Sequence, residues 1–170
     1  MPEKEQQQKE IMLIEGSKKM ALVDPQKKME FAKKAAKVLM DTIDKTNAIL
    51  EIQGNKYLKF EGWQMLASFF GLSVGIEFIA PLENGDGYKA KAVVYTRDGT
   101  IVGSAWGICS RKEPGKENFT FTKLLGMAQT RAAARALKQI LGWIAPLGGF
   151  KETPAEEVEN GEEIPIVEEN

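Results

Sequence analysis

The sequence predicts an α+β fold: an antiparallel β-hairpin and a three-stranded meander packed with a long C-terminal helix. Three observations predict it. Between residues 47 and 110 apolar and polar residues alternate in short runs, the two-residue period of strands. Those runs are joined by Gly-containing stretches, GN at 54–55, NGDG at 84–87 and RDGT at 97–100, and connections this tight make neighbouring strands antiparallel. On either side, over 24–45 and 118–143, the apolar residues recur at helical spacing instead.

Residues 1–23 open polar, carry a short apolar run at 11–14, and are expected to be a flexible N-terminal segment. Asp24 before Pro25 is a helix start, an acceptor at the N-cap followed by proline at the first helical position. Met29, Ala32, Ala36, Leu39, Met40 and Ile43 form its apolar stripe, and Lys27, Lys28, Lys33, Lys34 and Lys37 its basic side. This helix is expected to run to Lys45. AILEIQ and KYLKF around Gly54–Asn55 make the hairpin. EGWQMLASFFG follows as a short helix with Trp63, Leu66, Ala67 and Phe70 on one side and Gly71 to stop it. VGIEFIAPL, YKAKAVVYT and IVGSAWGICS are the meander strands.

The last helix sorts its residues by side. At about 100° per residue, Arg131, Arg135 and Lys138 share one narrow arc, and Leu125, Ala132, Ala133, Ala136, Leu137, Ile140 and Leu141 fill about half of the remaining circumference. The alanines at 132, 133, 134 and 136 allow close approach of a neighbouring backbone or sheet, which is consistent with a repeated interface between copies of the chain. Along the middle strand Lys89, Lys91, Val93, Tyr95 and Arg97 fall on one side and Tyr88, Ala90, Ala92 and Val94 on the other. A strand face that is part basic and part aromatic, next to a cationic helix stripe, suits single-stranded DNA, whose backbone needs positive charge and whose bases stack on rings. Tyr57, Tyr95 and Trp106 are the stacking candidates, with core packing as the alternative use of each ring.

Charge is distributed unevenly. Residues 152–170 hold eight glutamates and no Lys or Arg, leaving 23 basic against 16 acidic residues before them, a net of +7. A basic body attracts phosphates, lipids or acidic proteins. The acidic tail, interrupted by Pro154 and Pro165, is expected to be disordered, and to serve solubility, weak competition for the basic surface, or recruitment of replication or recombination proteins. With 43% apolar content in 170 residues, one domain over 24–151 is expected. No stretch approaches the roughly 18–20 apolar residues of a membrane span, and MPEKEQQQKE lacks the apolar centre of a signal peptide. A soluble, cytoplasmic protein with no membrane partner is the expectation.

Chemistry by an active site finds little support. The chain has no histidine and no GxxxxGK[ST] loop, and its single cysteine, Cys109, reads as a small buried residue. No cofactor and no metal are expected. A metal-dependent nuclease would have to rely on Glu61, Glu77, Asp86 and Asp98 with Lys89 or Lys91, and Asp86 and Asp98 already suit turns beside glycine. A protein-binding adaptor without enzymatic activity is the other alternative.

The succession YLKFEGWQMLASFFG, GYKAKAVVYTRDGTIVGSAWGICS and KLLGMAQTRAAARALKQILGW resembles the core of the single-strand annealing recombinases of the Rad-fifty-two family and their phage relatives, over residues 47–143. The matching elements are Phe60-Glu61-Gly62, the Arg97-Asp98-Gly99 turn, and 131–142. The resemblance implies a homo-oligomeric ring or helical filament that binds single-stranded DNA and anneals complementary strands in recombination and repair, without ATP or catalytic metal. It implies DNA contacts from Arg135, with Arg131 and Lys138 on the same face, and from Lys89, Arg111, Lys112 and Lys116. Lys91, Arg97 and the hairpin's Lys56 and Lys59 complete the candidate cations. Gln139 stands where the family often has another cation, and Leu50 or Glu51 near a basic position of the first strand.

Overall fold

A computed structural model describes residues 24–43, 46–159 and 162–163. The segment 1–23 and the end of the tail, 164–170, lie outside the described residues. The chain divides into two compact units, 1–32 and 33–170, with the division inside the first helix. In the first unit Asp24 caps the start of α1 (Pro25–Ile43), its Oδ1 accepting from the Gln26 N–H at 3.0 Å. Along α1, Ala32, Ala35, Ala36, Leu39 and Ile43 are buried. Met29 and Met40, expected in that stripe, are exposed, because they flank it by one residue and the buried arc is narrow.

In the second unit β1 (Ile49–Ile52) and β2 (Asn55–Leu58) pair antiparallel. Gln53 and Gly54, with φ of 51° and 76°, make the turn one residue earlier than expected, since a two-residue hairpin loop wants positive φ at both positions and Asn55 is already in the ladder. α2 (Phe60–Phe69) buries Trp63, Leu66 and Ala67. Gly71 terminates it at φ 65°, with the Leu72 N–H donating back to Ala67 O.

β3 (Ser73–Pro81), β4 (Gly87–Tyr95) and β5 (Ile101–Ser110) form an antiparallel sheet in the order β3-β4-β5. α3 (Phe121–Leu141) starts at Thr120, whose side chain accepts from the Lys123 N–H, and lies across β4 and β5. Its approach is close. A Cβ on Gly107 would fall 2.3 Å from Ala132 N, and one on Gly103 3.0 Å from Ile140 Cδ1. The small residues of α3 therefore pack within the chain, Ala128, Ala132 and Ala136 against the β5 glycines, the close approach of a sheet that alanines allow. Ala133 and Ala134 are buried too, and α2 packs on the same helix. Leu124, Leu137 and Leu141 complete a helix buried on almost every side, each such leucine contributing roughly 1.5–3 kcal/mol. Cys109, at 0% exposure, lies in this core, and burial raises its thiol pKa.

Beyond α3 the chain makes a 3-10 turn (Ala145–Gly148), returns to the hairpin through a Lys151 N–H bond to Lys56 O at 2.8 Å, and makes a second 3-10 turn (Ala155–Glu157). Val158–Glu159 then pairs antiparallel with Glu162–Glu163. The acidic tail is thus structured where disorder was expected to begin. Pro154, Ala155 and Val158 are buried, the latter two against Tyr57 with Leu50 and Ile52 beside them. These apolar residues, interleaved with glutamates, give the segment the anchor that a charge count hides. Among the described residues no helix is long and apolar enough to cross a membrane.

Candidate nucleic-acid interface

The sheet has two unlike faces, and register decides which side chain goes where. On the side of α3 lie Tyr88, Ala90, Ala92 and Val94 of β4. On the outer side the ladder sets Phe78, Lys91 and Trp106 directly opposite one another, with Ala80, Lys89 and Ile108 in the adjoining row. Phe78 and Trp106 meet edge to face with ring centroids 5.8 Å apart, yet remain 47% and 46% exposed. The Lys91 ammonium, between them in register, reaches the Glu77 carboxylate at 2.7 Å. Tyr95 lies farther along the same face, half-buried over Gly75, where a Cβ would sit 3.3 Å from its ring.

Phe78 escapes a reading of the sequence because of a register shift. Simple alternation places it with Val74 and Ile76 toward the helix, but the ladder shifts between Ile76 and Phe78, so Glu77 is the extra residue and Phe78 turns outward. Its exposure beside a tryptophan follows from that single bulge.

The helix cations behave differently from the expectation. Arg131 is buried, 5% exposed, and does not face solvent or a groove. Its Nη1 and Nη2 donate to Glu113 Oε1 and Oε2 at 2.8 and 2.7 Å, Nη1 also to Ile108 O at 2.7 Å, and Nε to Glu156 O at 3.2 Å. A guanidinium taken out of water must have such partners, so Arg131 is a core ion pair and leaves the list of binding residues. Lys116 leaves with it: 6% exposed, its ammonium sits 2.8 Å from Glu113 Oε2. Burial would raise the Glu113 carboxyl, but the hydrogen bonds from Arg131 and Lys116 overcome it and hold its pKa at about 2.

Arg135 is intermediate. Its side chain is 32% exposed, its Nε donates to Glu157 Oε1, and its Nη1 donates to Trp106 O at 3.2 Å. The carbonyls of Trp106 and Ile108, which Arg135 and Arg131 engage, alternate along the edge strand β5 and so point the same way. Lys138 is half-buried one turn on.

The remaining candidates scatter. Arg97 is exposed in the β4–β5 turn beside Gly71. Arg111, at the other end of the meander, donates to Phe119 O at 3.0 Å and lies 4.2 Å over the Phe121 ring. The length of β4 separates these ends by roughly 25 Å, about eight residues at 3.3 Å each. Lys112 sits 3.7 Å from Asp86 and is exposed. In the hairpin Lys56 is exposed, and the Lys59 ammonium donates to Asn47 Oδ1 at 3.0 Å. Tyr57 is buried at 7% against Ala155 and Val158, so it packs rather than stacks. Of the ring candidates, Trp106 is open and Tyr95 partly so.

The carboxylates considered for a nuclease are dispersed as well. Glu77 pairs with Lys91, Asp86 with Lys112, and Asp98 accepts from Thr96 in the β4–β5 turn, which lowers its pKa. Glu61 lies in the first turn of α2. Among the described residues no three His, Cys, Asp or Glu side chains form a group able to hold a metal ion. No protein-family model, curated protein or solved structure matches the chain.

Proposed function

We propose that this protein binds single-stranded DNA on the outer face of the β3–β5 meander and, as a homo-oligomer, anneals complementary strands without nucleotide hydrolysis. The observation that carries the reading is the row Phe78, Lys91, Trp106, two exposed rings flanking a cation, with Lys89 in the next row. Exposed aromatic faces beside lysines are what a flexible polyanion with planar bases requires. Scattered surface cations alone would not distinguish a strand from any other anion.

Annealing is opposed by repulsion between two polyanions, by structure within each strand and by the search for register. Lysines of the face neutralise phosphates, releasing condensed counterions. Stacking on Trp106 and Phe78 competes with hairpins in the strand, at about 1–3 kcal/mol per base. Neither step needs a catalytic residue. Oligomerisation would join such short faces into a track. β3 supports it: α3 covers β4 and β5 but little of β3, leaving an edge strand with Ile76 and Ile79 exposed at 37% and 40%, an edge that proteins generally cover. At β5 the carbonyls of Trp106 and Ile108 are already held by Arg135 and Arg131, so the β3 edge would meet a different surface of the next protomer, the heterologous geometry of rings and filaments.

The test is an annealing assay with complementary labelled oligonucleotides, free of ATP and divalent metal, alongside sedimentation of the free protein. Faster annealing by an assembly larger than a monomer is expected. A monomer that leaves the spontaneous rate unchanged contradicts the reading.

A further inference from the structure

The two arginines of α3 that hold β5 are not equivalent, and the difference isolates one anion site. Arg131 spends its guanidinium on Glu113, Ile108 O and Glu156 O. Arg135 engages only Glu157 and Trp106 O, which leaves three of its five N–H donors without a partner among the described residues. A planar, part-exposed fork of donors is suited to a phosphodiester. It also lies at the border of the proposed strand-binding face, since the carbonyl it holds belongs to Trp106, whose ring is exposed on that face.

What occupies this site is the chain's own acidic segment. Glu157 stands on the 3-10 turn Ala155–Glu157, its side chain 13% exposed and paired to Arg135. The anchors of that turn are separate from this carboxylate. Ala155 and Val158 pack on Tyr57, and Glu156 Oε1 accepts from the Phe60 N–H at the start of α2, at 2.6 Å. The segment can therefore stay in place when the Glu157 charge is removed.

We infer that Glu157 is an internal competitor for DNA: its carboxylate occupies Arg135 and withholds that cation from the phosphodiester backbone of a bound strand. This rests on the single-strand reading of the sheet face and adds its regulation. Anything that draws the acidic segment away would extend the phosphate track by one contact.

The experiment measures binding of a labelled poly-dT oligonucleotide across a salt series for the full chain and for Glu157→Ala, Glu157→Gln, Arg135→Ala/Glu157→Ala and Glu152→Gln, each checked for an unchanged melting temperature. Glu152 is an exposed carboxylate of the same segment and controls for net charge. Expected are a gain of about 3- to 10-fold for Glu157→Ala, a smaller gain for Glu157→Gln, and a log-log salt slope steeper by about 0.7, one phosphate contact. The double variant should fall back to the parent affinity, and Glu152→Gln should stay near it. Equal affinities of parent and Glu157→Ala, a gain that survives in the double variant, or an equal gain in Glu152→Gln would each overturn the competitor while leaving the binding face standing. If neither parent nor Glu157→Ala binds at low salt, the binding face fails and the competitor with it.

Discussion

Arg131 and Glu113 form a two-pronged ion pair inside the protein, with both side chains buried and Lys116 bonded to the same carboxylate. It joins the middle of α3 to the loop that follows β5, and through Ile108 O and Glu156 O it also ties β5 and the acidic segment to the helix. An arginine that looks like part of a DNA-binding stripe is a structural rivet.

Arg131→Ala is therefore expected to destabilise the fold rather than to weaken DNA binding selectively. Removing it leaves Glu113 and two backbone carbonyls short of partners, a loss on the order of 3–5 kcal/mol. Replacing both charges, as Arg131→Met with Glu113→Leu in a Lys116→Met background that leaves no ammonium buried beside the lost carboxylate, should cost less than either single change in that background. Urea denaturation of the three variants gives the comparison, and a double variant at least as unstable as the sum of the singles would contradict the pairing.

Acid should act through the same pair. Because the folded pKa of Glu113 is depressed to about 2 from 4.5, its contribution is complete above about pH 4.5 and is lost as pH falls through about 2. The size is roughly 3 kcal/mol. Glu113→Gln should be less stable at neutral pH and flatter in that window. Melting temperatures between pH 2 and 6 would show it.

Glu156 has the opposite sign. Burial raises its pKa against the help of the Phe60 N–H, and its Oε2 is buried without a hydrogen-bond partner. Stability from this group is thus full below the ordinary carboxyl range and declines as pH rises through the raised value. Glu156→Gln, which keeps an acceptor for Phe60 and buries no charge, should melt higher than the parent at pH 8 and lose that advantage near pH 4.

Gly107 tests the fit of helix to sheet. Any Cβ there meets backbone, Ala132 N at 2.3 Å and Ala128 O at 2.5 Å, so Gly107→Ala should destabilise by about 1–3 kcal/mol or more. Gly103→Ala meets the end of the flexible Ile140 side chain at 3.0 Å and should cost less. Thermal melts of the two variants make the contrast.

The elements were legible because each rests on a local rule: Asp24-Pro25 for the first helix, Gly71 and Gly99 for positive φ, alternation for the meander. The site was legible only in part. Lys89, Lys91 and Trp106 share an exposed face because strand alternation is local and held on β4 and β5. Phe78 was lost to a bulge, which shifts a face without changing composition. The fates of Arg131 and Lys116 hung on Glu113, and that of Arg135 on Glu157, 22 residues away in a segment whose glutamates concealed Pro154, Ala155 and Val158. A helical wheel sees cations on one side; it does not see which partners the fold brings to them.

The most direct measurement is binding of single-stranded DNA by the parent and by Lys89→Ala/Lys91→Ala and Trp106→Ala, followed by fluorescence anisotropy at several salt concentrations. Loss of the two lysines should lower affinity about tenfold or more at low salt and reduce the log-log salt slope by about 0.7 for Lys89, with a smaller share from Lys91, which is paired to Glu77. Loss of the exposed ring should weaken binding by about 1–3 kcal/mol with the slope unchanged. Variants that fold like the parent and bind the strand with its affinity and its salt slope would contradict the assignment of the outer sheet face.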